Sequence, residues 1–194
     1  MKKTLKVGFD LDGVILKNPL RNFRIFAKKL KVIKPYLFHQ KKEPFYIPQT
    51  KIERFLWRML HWSSYRIDES FPQIEKLIKE KRIEAYIITA RFSFLKDDFE
   101  SWIKKINRKK IFTGVYINKN NLQPDAFKIK MINRLNLDFF VEDNFDIVER
   151  LNRKAKAKII WLSNFIDRAV PYPLKFFSLK DIGSFLEKKT KKII

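Results

Sequence analysis

Apolar residues recur along this chain in two rhythms. Short runs at Lys6–Leu11, Ala85–Thr89, Val115–Ile117, Phe139–Glu142 and Lys158–Leu162, with a weaker one at Lys175–Phe177, have the length and the β-branched or aromatic character of strands. Between them, apolar positions three and four apart predict helices over Phe71–Lys81, Leu95–Ile106, Ala126–Leu135 and Asp146–Lys154, and a last one from Leu179 towards Lys189. Short apolar strands alternating with such helices predict an α/β fold, a Rossmann-like parallel sheet covered by helices on both faces.

One interval breaks the rhythm. Between the first strand and Phe71 no clear strand pattern occurs, and helices are expected instead at Leu20–Val32 and Lys51–Trp62, joined by IKPYLFHQKKEPFYIPQ. A βα connection takes roughly 2–6 residues, so this stretch is an insertion. The expected organisation is an α/β core from residues 1–16 and 67–194, with a small helical cap, residues 17–66, inserted after the first strand.

Composition narrows the field. The 194 residues suffice for one core with a small insertion but not for two independent cores, and a content of 45% hydrophobic and 15% aromatic residues argues against disorder. The absence of cysteine excludes disulfides, cysteine-ligated zinc and a thiol nucleophile. No apolar run reaches the length that spans a bilayer, and MKKTLKVGFDLD lacks a long apolar segment and a small-residue cleavage site. The expectation is a soluble, cytoplasmic protein. The charge is unusual, at 43 Lys and Arg against 21 Asp and Glu, a net of +22. Such an excess favours polyanions, or else reflects a source rich in Lys, Ile, Phe and Asn together.

In an open α/β sheet, ligands bind beyond the carboxyl ends of the strands, so polar residues there matter most. The first strand runs out in VGFDLDGV, where strand alternation puts Asp10 and Asp12 on one side and Gly13 permits a sharp turn. Two like charges so close disfavour one another unless a cation or a shared proton intervenes. The second strand, AYIITAR, ends with Thr89 and Arg91; the fourth, DFFVEDN, ends with Glu142 and Asp143. The helix before it, DAFKIKMINRL, has Asp125 as expected N-cap, which puts Lys128 in the first turn against the helix dipole; Lys130 is its rival. Clustered carboxylates without cysteine or a spaced histidine pair suit a hard cation such as Mg²⁺, which shares its shell with a substrate phosphate. His39 and His61 lie in the insertion and are expected on the surface or in packing, and Asp146 has no assigned role.

FDLDGV, ITAR, the helix-borne Lys128 and VEDN follow in the order and approximate spacing of the haloacid dehalogenase (HAD) superfamily of phosphohydrolases, which the chain resembles from Val7 to about Leu151. The insertion stands where that superfamily places its C1 cap, and YIITAR with the spacing from Lys128 to VEDN is similar to the 5′-nucleotidase-like branch. The resemblance implies Asp10 as the nucleophile that forms an aspartyl-phosphate. It implies Asp12 as general acid and base, which favours phosphate ester hydrolysis over dehalogenation. It further implies Thr89 as a hydroxyl bonding the transferring phosphoryl group and Lys128 as its electrostatic partner. Mg²⁺ would be held by Asp10, the main-chain carbonyl of Asp12, Asp143 and Glu142. Arg91 is a candidate contact to the substrate.

Substrate choice is expected to reside in the insertion. From Lys17 to Arg66 there are thirteen Lys and Arg against two acids, a net of +11, half the excess of the whole chain in about a quarter of its length. Uniform bias would not concentrate charge in this way. Aromatics interleave with it, at Phe23, Phe26, Tyr36, Phe45, Tyr46, Trp57 and Trp62, a combination that suits nucleic-acid bases and phosphates. Ile52, Phe55, Leu56, Met59 and Leu60 form an apolar stripe that suits an anionic membrane surface, or simple packing of the cap on the core, which is the preferred expectation. Three functions follow. The first is a Mg²⁺-dependent phosphatase for a nucleotide or another small phosphate monoester. The alternative is a phosphatase or binding protein for a larger anion, a nucleic-acid end or a lipid headgroup, docked by the basic cap. The third, a protein that keeps the fold without turnover, is disfavoured by the intact Asp10, Asp12, Lys128 and Asp143.

Overall fold

The computed structural model describes residues 4–19, 45–165 and 167–191. In chain order its elements are β1 (Leu5–Phe9), β2 (Leu16–Lys17), α1 (Lys51–Trp62), β3 (Arg66–Ile67), α2 (Phe71–Lys79), β4 (Ile83–Phe92) and α3 (Lys96–Ile106). There follow β5 (Gly114–Asn118), α4 (Pro124–Arg134), β6 (Phe139–Glu142), α5 (Phe145–Lys154), β7 (Lys158–Leu162), β8 (Lys175–Phe176) and α6 (Leu179–Lys191). The expected helix at Leu20–Val32, with Phe23 and Phe26, and the start of the joining segment, with Tyr36 and His39, lie outside the described residues.

Six strands form one parallel sheet in the order β5-β4-β1-β6-β7-β8. The chain therefore winds outwards from β1 in one direction and then restarts on its other side with β6. That reversal opens a crevice at the carboxyl ends of β1 and β6, where such sheets bind ligands. Period-two alternation sorts the side chains into two cores. Val7, Phe9, Ile87, Val141 and Ile160 face α2, α3 and α6, whose Ile74, Leu77, Phe99, Ile182 and Leu186 join the same cluster. Ile88, Phe140, Ile159 and Trp161 face α4 and α5 with Met131, Ile132, Val148 and Leu151. Gly8 belongs to this second face because a Cβ there would lie 2.7 Å from the Phe140 ring and 2.6 Å from Leu137 Cδ1.

The described parts of the insertion differ from expectation in two ways. They are anchored by strands: β2 and β3 pair antiparallel, Leu16 opposite Ile67 and Lys17 opposite Arg66, so the insertion leaves and re-enters the core side by side. Its helix α1 begins on a capping box, Thr50 Oγ1 accepting from Glu53 N and Glu53 Oε2 accepting from Thr50 N. The second difference is its orientation. The stripe expected to pack stands exposed, Ile52 at 74% and Phe55 at 56%. The opposite face meets the core instead: Arg58 Nη2 donates to Phe94 O at 2.6 Å, Arg54 lies over the Phe94 ring, and Trp57 packs beside Phe92.

Candidate active site

The strand ends at Phe9, and the next residues make a tight turn: Leu16 N donates to Leu11 O and Gly13 N to Leu16 O, both at 2.8 Å. Gly13 has φ of +82°, and a Cβ on it would collide with Asp143 Oδ2. Glycine is required here for both reasons. Gly13→Ala is expected to lose about 1–3 kcal/mol of stability and to displace Asp143, read by urea unfolding and by weakened Mg²⁺ binding in titration calorimetry. Unchanged values for both would show that the turn tolerates a Cβ.

Asp10 continues the face of β1 that carries Gly8, towards α4. There Lys128 Nζ lies 3.0 Å from Asp10 Oδ2 and donates to Glu142 Oε2 at 2.5 Å. Glu142 Oε1 accepts from Asn144 N at 3.1 Å, and Asn144 in turn caps α5 by accepting from Asp146 N. Asp146 is thus at a helix start, outside the group of acids that approach one another. Lys128 is buried and Lys130 exposed, which separates the two lysines. The cap of α4 is not Asp125 but Gln123, with Pro124 in the first turn, and Lys128 falls one position beyond that turn. Gln123 makes no side-chain cap; it accepts from Phe45 N and donates to Phe45 O, which leaves Pro124, without an N–H to satisfy, to open the helix.

Asp12 takes a different partner from Asp10. Because the strand has ended, simple alternation no longer applies, and Arg91 grips Asp12 with two parallel bonds, Nε to Oδ2 at 2.8 Å and Nη2 to Oδ1 at 2.7 Å. The register of β4 against β5 shifts between Thr89 and Phe92, an irregularity that re-aims side chains near a site. Thr89 Oγ1 accepts from Arg91 N at 3.3 Å, and Arg91 Nη1 is buried with no hydrogen-bond partner among the described residues. Two residues of the insertion join Asp12: Ser64 Oγ donates to Oδ1 at 2.7 Å and His61 Nε2 lies 4.0 Å from Oδ2. His61 packs beside Trp57, as expected, and its approach to Asp12 is an addition to that role. Neither Ser64 nor His61 carried a sequence signal, since both reach Asp12 across some fifty positions.

The charges do not balance without help. Burial, reinforced by Glu142, Asp143 and Asp12, holds the Asp10 carboxyl well above its ordinary pKa despite Lys128. Burial and Asp143 likewise raise Glu142 against the pull of Lys128. Burial opposes the charge on Lys128, but Asp10 and Glu142 outweigh it and raise its pKa. Asp12 behaves oppositely: burial resists its ionisation, yet Arg91, His61 and Ser64 prevail and hold its carboxyl well below the usual range. Arg91 therefore answers chiefly Asp12, whereas Lys128 lies against Asp10 and Glu142. Asp10, Glu142 and Asp143 each bring an oxygen within 4.8 Å of the others, all buried. An all-oxygen donor set with net negative charge fits a divalent hard cation, which would reverse the shifts of Asp10 and Glu142.

No family model and no curated protein matches this sequence. Solved structures do match in shape. YfnB from Bacillus subtilis, a putative HAD-hydrolase in a magnesium-bound crystal form, superposes with a TM-score of 0.62 at 12% identity, over 96% of this chain and 100% of that one. CbbY from Rhodobacter sphaeroides in complex with phosphate gives 0.57 at 13% identity over 93% and 97%. A putative beta-phosphoglucomutase from Thermotoga maritima gives 0.57 at 14% over 95% and 99%. Sheet order, the crevice between β1 and β6 and these superpositions agree: the chain has the fold of the HAD-superfamily hydrolases.

Proposed function

We propose that this chain is a Mg²⁺-dependent phosphomonoester hydrolase working through an aspartyl-phosphate on Asp10. The observation that carries the reading is the buried group at the crevice, in which Asp10 meets Lys128 at 3.0 Å and shares a space with Glu142 and Asp143. Asp10, Glu142, Asp143 and the main-chain carbonyl of Asp12 would hold Mg²⁺, which when bound neutralises the phosphoryl group and the attacking carboxylate. An Asp10 oxygen attacks phosphorus, the ester P–O bond breaks, and Asp12 gives its proton to the leaving oxygen. Water then attacks phosphorus, Asp12 takes a proton from it, and the Asp10–phosphorus bond breaks to release inorganic phosphate. Lys128 and the Thr89 hydroxyl hold the phosphoryl oxygens, and Arg91 Nη1 is available to one of them. The ionised Asp12 suits the second half of this cycle. A dianionic phosphate nearby raises its proton affinity for the first half.

The insertion between β2 and β3 would serve as a C1-type cap over this crevice. Tyr46, Trp57, Phe92 and Phe94 adjoin along its seam with the core, Phe92 and Phe94 stacked and the other neighbours tilted, an aromatic seam that supports a nucleotide as the small monoester. The exposed stripe of α1 beside a basic segment favours the second reading, a larger anion docked by the insertion. Among the described residues no helix is long and apolar enough to cross a membrane.

Phosphate release from nucleoside monophosphates, sugar phosphates and a 5′-phosphorylated oligonucleotide tests both. Release from the nucleotides is expected to require Mg²⁺, to stop on chelation, and to respond mildly to salt. A substrate docked through six or more phosphates would instead lose about 10³-fold or more in affinity between about 50 and 200 mM salt. Release that persists in excess chelator would rule out the metal-dependent reaction.

A further inference from the structure

We infer that Ser64 and His61 are positioning residues through which the insertion sets the orientation of the Asp12 carboxylate for proton transfer. The inference rests on the reaction proposed above and deepens it, because it makes the acid–base group a joint product of core and insertion.

The geometry is that of a clamp with two jaws. From the core, the Arg91 guanidinium matches both carboxylate oxygens at 2.7 and 2.8 Å and fixes their plane. From the insertion, Ser64 Oγ donates to Oδ1 at 2.7 Å. A hydroxyl has one proton, so this donation uses it, while Asn18 Nδ2 donates back to the same oxygen at 3.3 Å. Asn18 Oδ1 also accepts from Ser63 Oγ at 2.9 Å. The outgoing and returning ends of the insertion are thus knotted together at the residue that touches Asp12. His61 is oriented from within its own helix. The Trp57 carbonyl can only accept, so His61 Nδ1 carries a proton and donates to it at 2.9 Å, which turns Nε2 towards Asp12.

The insertion is also tied to the stretch that follows Arg91, at Phe94 and in the first turn of α3. Arg58 bonds Phe94 O and lies 3.5 Å from Asp98, and Trp62 Nε1 donates to Asp98 Oδ1 at 3.3 Å. A ligand that moves α1 against this loop therefore moves His61 and Ser64 relative to Asp12, while Arg91 stays with the sheet. The hold on Asp12 is complete only when the insertion adds Ser64 and His61 to the Arg91 pair.

A purely structural role for Ser64 and His61 would affect all substrates alike. A positioning role would not, because only a poor leaving group needs a proton in the first step. The test is kcat/KM, which reports the steps through departure of the leaving group, for an alkyl phosphate and for 2,4-dinitrophenyl phosphate. Ser64→Ala and His61→Gln are expected to lower it roughly tenfold or more on the alkyl ester and less than about twofold on the dinitrophenyl ester. Ser64→Thr, which keeps the hydroxyl, is expected to restore the alkyl reaction. In an Asp12→Asn background, Ser64→Ala is expected to cost nothing further. Equal losses on both esters, or additive losses with Asp12→Asn, overturn the inference. A wild-type protein inert towards both esters overturns the proposed reaction itself and this assignment with it. Thermal unfolding of each variant identifies loss of fold, in which case the Ser64→Thr and His61→Gln pair carries the comparison.

Discussion

Asp10→Asn is expected to lower turnover by on the order of 10⁴-fold or more while leaving the protein at least as stable as the wild type. The residue is 6% exposed and the amide is of the same size, so packing is preserved. What changes is charge and nucleophilicity. Asp10 is one of several acids crowded at the crevice, and its carboxyl is pushed up by burial and by Glu142, Asp143 and Asp12. Removing that charge relieves repulsion, and Lys128 keeps Glu142 at 2.5 Å. The two readouts therefore move apart, a signature that simple unfolding does not produce. In an acid-quenched wild-type reaction, a peptide containing Asp10 should carry one added phosphoryl group by mass spectrometry, and the variant should carry none. Full turnover in Asp10→Asn would move the covalent step to another residue and end the proposed mechanism.

Lys128→Met is expected to have the largest effect on stability, about 3–5 kcal/mol in urea unfolding. Lys128 is 2% exposed, and its ammonium is the cation that faces Asp10 and Glu142. Taking it away leaves the two buried carboxylates without their adjoining cation, whereas Lys130→Met on the exposed side of the same helix should stay within about 0.5 kcal/mol. The loss has a direction in pH. Without Lys128 the carboxyls of Asp10 and Glu142, already raised by burial, rise further above their unfolded values, so the folded protein binds more protons and stability falls as pH increases through that range. The destabilisation should thus be smaller at acidic than at neutral pH. Combining Asp10→Asn with Lys128→Met should cost less than the sum of the two, by about 0.5–3 kcal/mol of coupling. A pH-independent, strictly additive loss would mean that Lys128 acts through packing, for example against the Phe140 ring beneath it, rather than through charge.

Local rules made much of this protein legible in advance. Phe139–Glu142 and Lys158–Leu162 are strands at the expected limits, and α1 spans the expected Lys51–Trp62. Their signals, a period of two or of 3.6, lie within a dozen residues of each other. Where the expected limits slipped, a neighbour intervened: Gln123 displaced Asp125 as the cap of α4 because Pro124 opens that helix and Gln123 is engaged by Phe45. The face that α1 turns inward differs from the expected one for a similar reason. An amphipathic helix announces its apolar face, but here the core offers the Phe94 carbonyl and Asp98, which select Arg58 and Trp62.

By itself the sequence determined the alternation of strand and helix, and with it the positions of Asp10, Glu142 and Asp143 at or just beyond strand carboxyl ends, because these follow from short-range periodicity and turn chemistry; β4 runs on past the expected end at Thr89 to Phe92. The order of stations also placed Lys128 on the helix preceding Glu142. Only the tertiary structure decided which cation answers which acid. Arg91 and Asp12 are 79 positions apart, and their bidentate fit depends on a register shift in β4 that no local pattern encodes. Ser64 and His61 reach Asp12 only because β2 and β3 bring the two ends of the insertion together. Contacts of that kind are set by how sheet, turn and helix pack as rigid bodies, and a one-dimensional reading has no term for it.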